Sequence, residues 1–208
     1  KAPQVLGKVR ISGGGRCNVT HACFDPRNFA AHYPRGEKEL IGPLHRWDAE
    51  KTIDWFESHG VQIKTEKDGR MFPATDDSQT IIDCLTHKAQ ELHIKTKTKT
   101  AVREIIHTPA ASSNFQLKCS DGTFLQSKNL LIATGGTRSA ASESLLKFSG
   151  HTLHPAVPSL FTFNIPQNNL NELAGISVPH TQVTIPQYKL SSDGPLLITH
   201  WGLSGPAI

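Results

Sequence analysis

A run of seven residues near the start of the chain has the composition of a ligand-binding loop: Ser12, Gly13, Gly14, Gly15, Arg16, Cys17 and Asn18. Consecutive glycines allow positive φ and let a ligand approach the main chain closely, and successive N–H groups of such a turn can form a concave site for an anion. Arg16 adds a planar, permanently charged group suited to phosphate or to an electron-rich ring, and Asn18 offers donors and acceptors. The segment predicts a binding loop; the alternative is an ordinary surface turn.

A second glycine segment, Thr134-Gly135-Gly136, follows a continuous apolar run. The run predicts a parallel strand at 129–134 that is buried on both faces. Ligands of open α/β sheets bind at the carboxyl ends of such strands. Thr134, Gly135 and Gly136 are therefore a second candidate binding segment, although glycines that simply turn the chain after a strand would look the same.

Several elements must position these two segments. The run 8–11 is β-leaning and predicts a short strand before the first loop. Apolar spacing and capping residues predict two helices over 48–92, with Asp48 as an N-cap, and between them a short strand at 61–65 and a turn at 67–69. A β-meander follows over 94–126, with strands at 94–107, 115–119 and 123–126. Prolines then separate short β-prone stretches, which predicts two domains, 1–155 and 156–208.

Composition excludes several classes of protein. Hydrophobic residues make up 37% and charged residues 19% of the 208 residues, an ordinary globular balance, and no apolar run reaches the ~20 residues that span a membrane. The cysteines have no C-x-x-C spacing, so we expect a reducing cytoplasm. The net charge of +4 fits an anionic ligand but makes nucleic acid an unlikely partner.

One basic stretch leaves two interpretations open. Lysine alternates with threonine over 95–99. In the strand predicted at 94–107 this alternation would form a solvent-facing edge, which is the interpretation we favour. The alternative is a track of cations for phosphate groups.

Five blocks together resemble the HI0933-like flavoproteins, also called BaiN- or YhiN-like NAD(P)/FAD-dependent oxidoreductases. In chain order they are Ile11-Ser-Gly-Gly-Gly-Arg-Cys-Asn-Val-Thr20, Gly69-Arg-Met-Phe-Pro73, Ile132-Ala-Thr-Gly-Gly136, Gly150-His-Thr152 and Thr199-His-Trp-Gly-Leu-Ser-Gly-Pro-Ala207. The resemblance implies an α/β fold: an incomplete Rossmann-like FAD-binding domain with a β-meander over 1–155, followed by part of a mostly β inserted domain over 156–208.

The resemblance also implies roles for single residues. The loop 12–18 would lie against the FAD pyrophosphate and flavin, and Val102 would offer backbone to the adenine. Thr134, Gly135 and Gly136 would close over the cofactor. Cys17 could face the flavin, although we favour it as a small packing residue because no partner thiol is evident.

One element of such proteins is missing from the sequence. The unit of strand, G-x-G-x-x-G and helix, which places pyrophosphate at a helix N-terminus, is absent. We therefore expect the chain to be a fragment that lacks this unit and the C-terminal part of the FAD domain. Alone, it should bind FAD weakly or not at all and be inactive.

Two hypotheses for function follow from different classes. The first is an FAD-dependent oxidoreductase that passes electrons between a small organic substrate and NAD(P)H or another acceptor. No catalytic residue is assigned, because in a flavoenzyme the reactive chemistry belongs to the cofactor. The alternative is a non-catalytic nucleotide- or RNA-binding module that uses the same loop.

Overall fold

The structure, a computed structural model, describes residues 3–33, 35–107, 114–135, 144–146, 149–155, 162–166 and 169–208. The chain divides into two compact units, residues 1–130 and 131–208. The first unit mixes helices and strands, and the second is mostly β.

Helices and two small antiparallel sheets build the first unit. Its helices are α1 (Gly7–Ile11), α2 (Pro26–Ala30), α3 (Glu37–Arg46), α4 (Ala49–Ser58) and α5 (Ser78–Glu91). Its strands are β1 (Thr20–His21), β2 (Ile63–Thr65), β3 (Arg70–Pro73), β4 (Val102–His107), β5 (Phe115–Cys119) and β6 (Phe124–Ser127). They form sheets in the orders β1-β3-β2 and β4-β5-β6, and neighbouring strands within both sheets are antiparallel.

The strand predicted at 8–11 is wrong, because these residues form helix α1. Four residues are too few to distinguish a period of two from a period of 3.6. Tertiary contacts decide the matter: Val9 packs against the core, and the Ser78 hydroxyl of α5 donates to the carbonyl of Arg10 at 2.9 Å. The first glycine loop therefore follows a helix.

The elements predicted over 48–92 are confirmed. Asp48 caps α4 and accepts a hydrogen bond from the Lys51 amide at 2.9 Å. Asp77 caps α5 in the same way, through the Gln79 amide at 2.8 Å. These capping contacts are local, which is why the sequence reveals them.

The β-meander is confirmed, but its first strand is shorter than predicted. β4 begins at Val102, and residues 94–101 are irregular rather than extended in a sheet. β5 pairs with β4 on one side and with β6 on the other. The lysine–threonine alternation over 95–99 thus lies outside the sheet, so it is not the solvent-facing edge of a strand.

The buried strand predicted at 129–134 is wrong for the structure described here. Residues 129–135 have irregular backbone, and Leu131 is 88% exposed. A strand that is buried on both faces needs a hydrogen-bonded neighbour on each side, and none of the described sheets includes this segment.

A four-stranded antiparallel sheet is the main regular structure among the described residues of the second unit. Its strands are β7 (Phe163–Asn164), β8 (Ser177–Ile185), β9 (Leu190–Thr199) and β10 (Gly202–Ser204), in the order β7-β10-β9-β8. Gly202 allows β10 to approach β7 closely, because a Cβ there would stand 1.9 Å from the Phe163 carbonyl oxygen.

The core beneath the first glycine loop lies among α4, α5 and the strand β2. Its buried members are Cys17, Phe56, Val61 and Ile81, and partly buried side chains such as Val9 pack around them. Cys17 belongs both to this core and to the loop, so its burial attaches the loop to the core.

Candidate functional site

The backbone of the first loop is left-handed at four of the five positions from 13 to 17. Gly13, Gly14 and Gly15 have φ of 55°, 69° and 87°, and Cys17 has φ of 64°. The loop closes through hydrogen bonds from the Cys17 amide to the Ser12 carbonyl at 3.0 Å and from the Arg16 amide to the Gly13 carbonyl at 3.4 Å. This is a tight turn that glycine adopts without steric cost.

The three glycines have different surroundings. A Cβ on Gly13 would stand 2.8 Å from the Asn18 amide nitrogen and 2.9 Å from the ring of Phe72. A Cβ on Gly14 would meet nothing within 4 Å, and one on Gly15 only the Arg10 carbonyl oxygen at 4.0 Å. Gly13 therefore serves internal packing, whereas Gly14 and Gly15 leave backbone open to an approaching group.

Arg16 is held by residues far away in the sequence. Its guanidinium lies over the ring of Phe72, with 4.0 Å from Cζ to the ring centroid, and donates to Glu66 Oε1 at 2.5 Å. A second carboxylate, that of Asp76, lies at 3.5 Å. The hydrogen bond and charge of Glu66 raise the pKa of Arg16, and Asp76 adds to this. Arg16 is thus a positioned cation stacked on an aromatic ring.

Further charges continue this network over the turn between β2 and β3. Arg70 pairs with Asp68 at 2.7 Å and with Glu66 at 3.4 Å, and Lys64 pairs with Asp76. The hydrogen bond from Lys64 lowers the pKa of Asp76, with smaller contributions from Arg16. Hydrogen bonds from Arg70 likewise lower the pKa of Asp68.

Asn18 and Ser12 stabilise the two ends of the loop. The end of the Asn18 side chain faces two carbonyl oxygens, and the amide orientation that satisfies both has Nδ2 donating to Met71 at 3.1 Å and to Thr20 at 2.8 Å. The Ser12 hydroxyl donates to the Val9 carbonyl at 2.8 Å. Both side chains therefore make structural hydrogen bonds, and their predicted contacts with FAD stay predictions.

Cys17 is buried, with 7% of its surface exposed, and packs in the core. This agrees with the packing role that we favoured over a redox role. All four cysteines are free, and burial raises the pKa of the Cys84 thiol.

The other candidate residues lie in elements outside the first loop. Val102 is the first residue of β4 and pairs with Cys119. Thr134 and Gly135 belong to the second unit, where both are exposed on irregular backbone, and Gly136 lies outside the described residues. Their assignment to one cofactor site with the first loop stays a prediction.

Sequence reasoning missed the residues that hold Arg16, namely Phe72, Glu66 and Asp76. Phe72 has no exposed surface and lies in the Gly69-Arg-Met-Phe-Pro73 block, so the family resemblance already marked this segment as one to examine. Glu66 is 50 positions from Arg16, and nothing in the intervening sequence marks the two as partners.

The residues with described structure lack two further kinds of feature. They contain no group of three or more histidine, cysteine or acidic side chains placed to hold a metal ion. Within the same residues, every helix is too short or too polar to cross a lipid bilayer.

Comparison with known proteins matches two consecutive regions of the chain to domains of one family. The HI0933-like protein Rossmann domain matches residues 1–152, and the HI0933-like protein barrel and H2TH domain matches residues 157–208. The first match and the mixed helix–strand structure confirm the α/β class with a Rossmann-like domain and a β-rich part.

Three curated relatives match nearly the whole chain. A ribosomal RNA dihydrouridine synthase of Escherichia coli (strain K12) is 28% identical over 97% of this chain and 50% of its own length. The protein of the same name from Haemophilus influenzae is 26% identical over 97% and 51%. A 3-dehydro-bile acid delta(4,6)-reductase of Clostridium scindens is 24% identical over 95% and 48%.

The chain therefore spans about half the length of the curated relatives it matches. The domain model that covers residues 1–152 accounts for most of the sequence, and it includes the glycine loop, Phe72 and the acidic residues that hold Arg16. The chain belongs to the HI0933-like protein family.

Proposed function

We propose that this chain is part of an FAD-dependent reductase that delivers electrons from NAD(P)H to a conjugated carbon–carbon double bond. The observation that carries the proposal is the loop 12–18, in which packed residues hold an open stretch of glycine backbone next to a fixed cation. Family membership supports the oxidoreductase class. The relatives' names support the type of reaction.

The residues present fit one wall of a flavin dinucleotide site. Gly14 and Gly15 leave room for a flat or anionic group to reach the main chain. Arg16 lies beside them with its side chain 32% exposed, so part of its guanidinium remains available to such a group. FAD, when bound, would accept two electrons from reduced nicotinamide and pass them to the substrate, while these residues bind and orient it.

The relatives' names share one chemical change. A dihydrouridine synthase produces a uridine that has gained two hydrogens, and a delta(4,6)-reductase acts on a conjugated double bond of a 3-keto steroid acid. Each enzyme name implies the reduction of a carbon–carbon double bond that is conjugated to a carbonyl group. We extend that reaction class, and not either substrate, to the protein that contains this chain.

Two kinds of substrate are candidates. A small enone corresponds to our expectation from the sequence that the substrate is a small molecule and nucleic acid an unlikely partner. A uridine base within ribosomal RNA is favoured by a separate observation, the name shared by two relatives. In this second form the protein is an oxidoreductase whose substrate is RNA, which differs from the non-catalytic RNA-binding module of the alternative hypothesis.

The test is a reduction assay with the full-length protein that carries this chain. We expect NADPH to bleach the bound flavin under anaerobic conditions, and an enone or unmodified ribosomal RNA to restore the oxidised spectrum. A flavin that NADPH reduces but neither substrate reoxidises would contradict the proposed reaction class. The 208-residue chain alone, which lacks G-x-G-x-x-G, should retain little FAD; stoichiometric yellow flavin in it would contradict that expectation.

A further inference from the structure

We infer that residues 93–103, here called the basic segment, form a docking surface for the phosphodiester backbone of RNA. This inference rests on the second substrate candidate, a uridine within RNA. It assigns the contact to a part of the chain outside the loop 12–18.

The first step is that most of the segment, residues 94–101, lacks regular structure where the sequence predicts a strand. Only Val102 and Arg103 belong to β4. The alternation of lysine and threonine therefore cannot be attributed to the solvent-facing edge of a strand, which was the interpretation that competed with a phosphate track.

The second step is the charge of the segment. It contains four side chains that are cationic at pH 7 and one histidine, with no aspartate or glutamate between Glu91 and Glu104. All five are exposed: His93, Lys95, Lys97, Lys99 and Arg103. The carboxylate of Asp121 interacts with one of these cations: its pKa is lowered chiefly by hydrogen bonds from Thr123 and, to a smaller extent, by the charge of Lys97. The segment thus keeps a net positive charge.

The third step is the polar groups between the cations. Thr96 and Thr98 are exposed, so hydroxyl donors alternate with ammonium groups along the segment. Lysine and threonine side chains are both frequent partners of phosphate oxygens. Contacts of this kind position a nucleic acid without reading its sequence.

The fourth step is that the positive surface continues onto helix α1. Thr98 and Arg10 line one open depression together with Gln4, Val5 and Ile82. Arg10 is exposed there, and its guanidinium donates to Gln79 at 2.6 Å. A strand of RNA that follows the lysines could therefore meet a further cation and a small apolar floor.

The test compares two triple variants of the full-length protein. In one, Lys95→Gln, Lys97→Gln and Lys99→Gln remove three charges from the basic segment. In the matched control, Lys38→Gln, Lys67→Gln and Lys128→Gln remove three charges from other exposed positions. The probe is a fluorescein-labelled single-stranded RNA of mixed sequence, and binding is followed by fluorescence anisotropy over a series of salt concentrations.

We expect the first variant to bind the RNA more weakly and to have a salt slope shallower by about two units, since each lost phosphate contact removes ~0.7. The control should behave like the unmodified protein. Equal salt slopes for the two variants would overturn the inference. Binding to anionic phospholipid vesicles is measured as well, and a variant that loses vesicle binding but keeps its RNA binding would also overturn it. Because flavin content and enone reduction are measured separately, failure here differs from failure of the proposed function.

Discussion

The two glycine segments of this chain look alike in sequence and differ in structure. Gly13 packs against Phe72, which has no exposed surface, and the buried Cys17 closes the loop through its hydrogen bond to the Ser12 carbonyl. Thr134 and Gly135 follow Leu131, which is 88% exposed on irregular backbone. The first segment receives its shape from contacts within its own unit. The second would need neighbouring strands to become the end of a buried strand.

The difference shows what each local pattern requires. A glycine turn needs only a few packed neighbours, and residues 66–76 supply them. A parallel strand needs a ladder of hydrogen bonds on both sides, and its apolar composition cannot form that ladder by itself. A glycine segment is therefore held in a defined turn by packed neighbours at 13–15, whereas the one at 134–135 has irregular backbone and exposed residues.

The largest effect is expected from removing the side chain of Phe72, which supports the first glycine loop. Phe72→Ala should destabilise the first unit by about 3–5 kcal/mol, as expected for deletion of a fully buried aromatic ring. It should also release Arg16, which stacks on that ring. Urea unfolding of the chain measures the loss; a change below about 1 kcal/mol would show that Phe72 does not support the loop.

A matched pair of glycine variants tests the loop itself. Both Gly13→Ala and Gly14→Ala place a side chain at positive φ, which costs about 1–2 kcal/mol. Only Gly13→Ala also drives a Cβ against the Asn18 amide and the Phe72 ring, so it should cost a further ~1–3 kcal/mol. Equal stability of the two variants in urea would contradict the packing role given to Gly13.

The charges that hold Arg16 predict a dependence on pH. Lys64 and Arg16 lower the pKa of Asp76, so the ionised carboxylate stabilises the folded state above the unfolded pKa, ~3.9. That contribution disappears as the pH falls through the lower, folded pKa. Asp76→Asn should therefore lower stability at pH 7 but not in strong acid.

The control for this pH experiment is Asp54→Asn, which changes an exposed carboxylate on helix α4. It should alter stability less than Asp76→Asn at neutral pH. Thermal unfolding measured from neutral to acid pH compares the two; parallel curves would mean that the ion pairs of Asp76 contribute nothing specific.

The smallest effect is expected in the second segment. Leu131→Ser changes a side chain that is almost fully exposed, so it should shift the stability of the chain by less than about 0.5 kcal/mol. A loss comparable to that of Phe72→Ala would show that the apolar run is buried after all. The measurement is the same urea titration.

The sequence predicted those features that depend on nearby residues. Asp48 was predicted as a cap, and it caps α4 through an amide three residues away; the predicted strands 115–119 and 123–126 of the β-meander pair as neighbours. Family resemblance, carried by five short blocks, predicted the Rossmann-like class that the comparison confirms.

Features that depend on distant residues were not predicted. The pairing of Arg16 with Glu66 joins residues 50 positions apart, and the contact of Ser78 with Arg10 joins residues 68 apart. The latter helps to fix α1 as a helix, whereas its short sequence favoured a strand. Such contacts follow from the packed fold, and no local spacing encodes them.

The central claim is that the glycine loop belongs to a flavin dinucleotide site, and the most direct measurement is the identity of the chromophore. The full-length protein that carries this chain would be purified without added cofactor, denatured, and the released compound identified by chromatography and mass. The account predicts FAD, present in close to one copy per protein. A colourless protein that also fails to bind added FAD would contradict it.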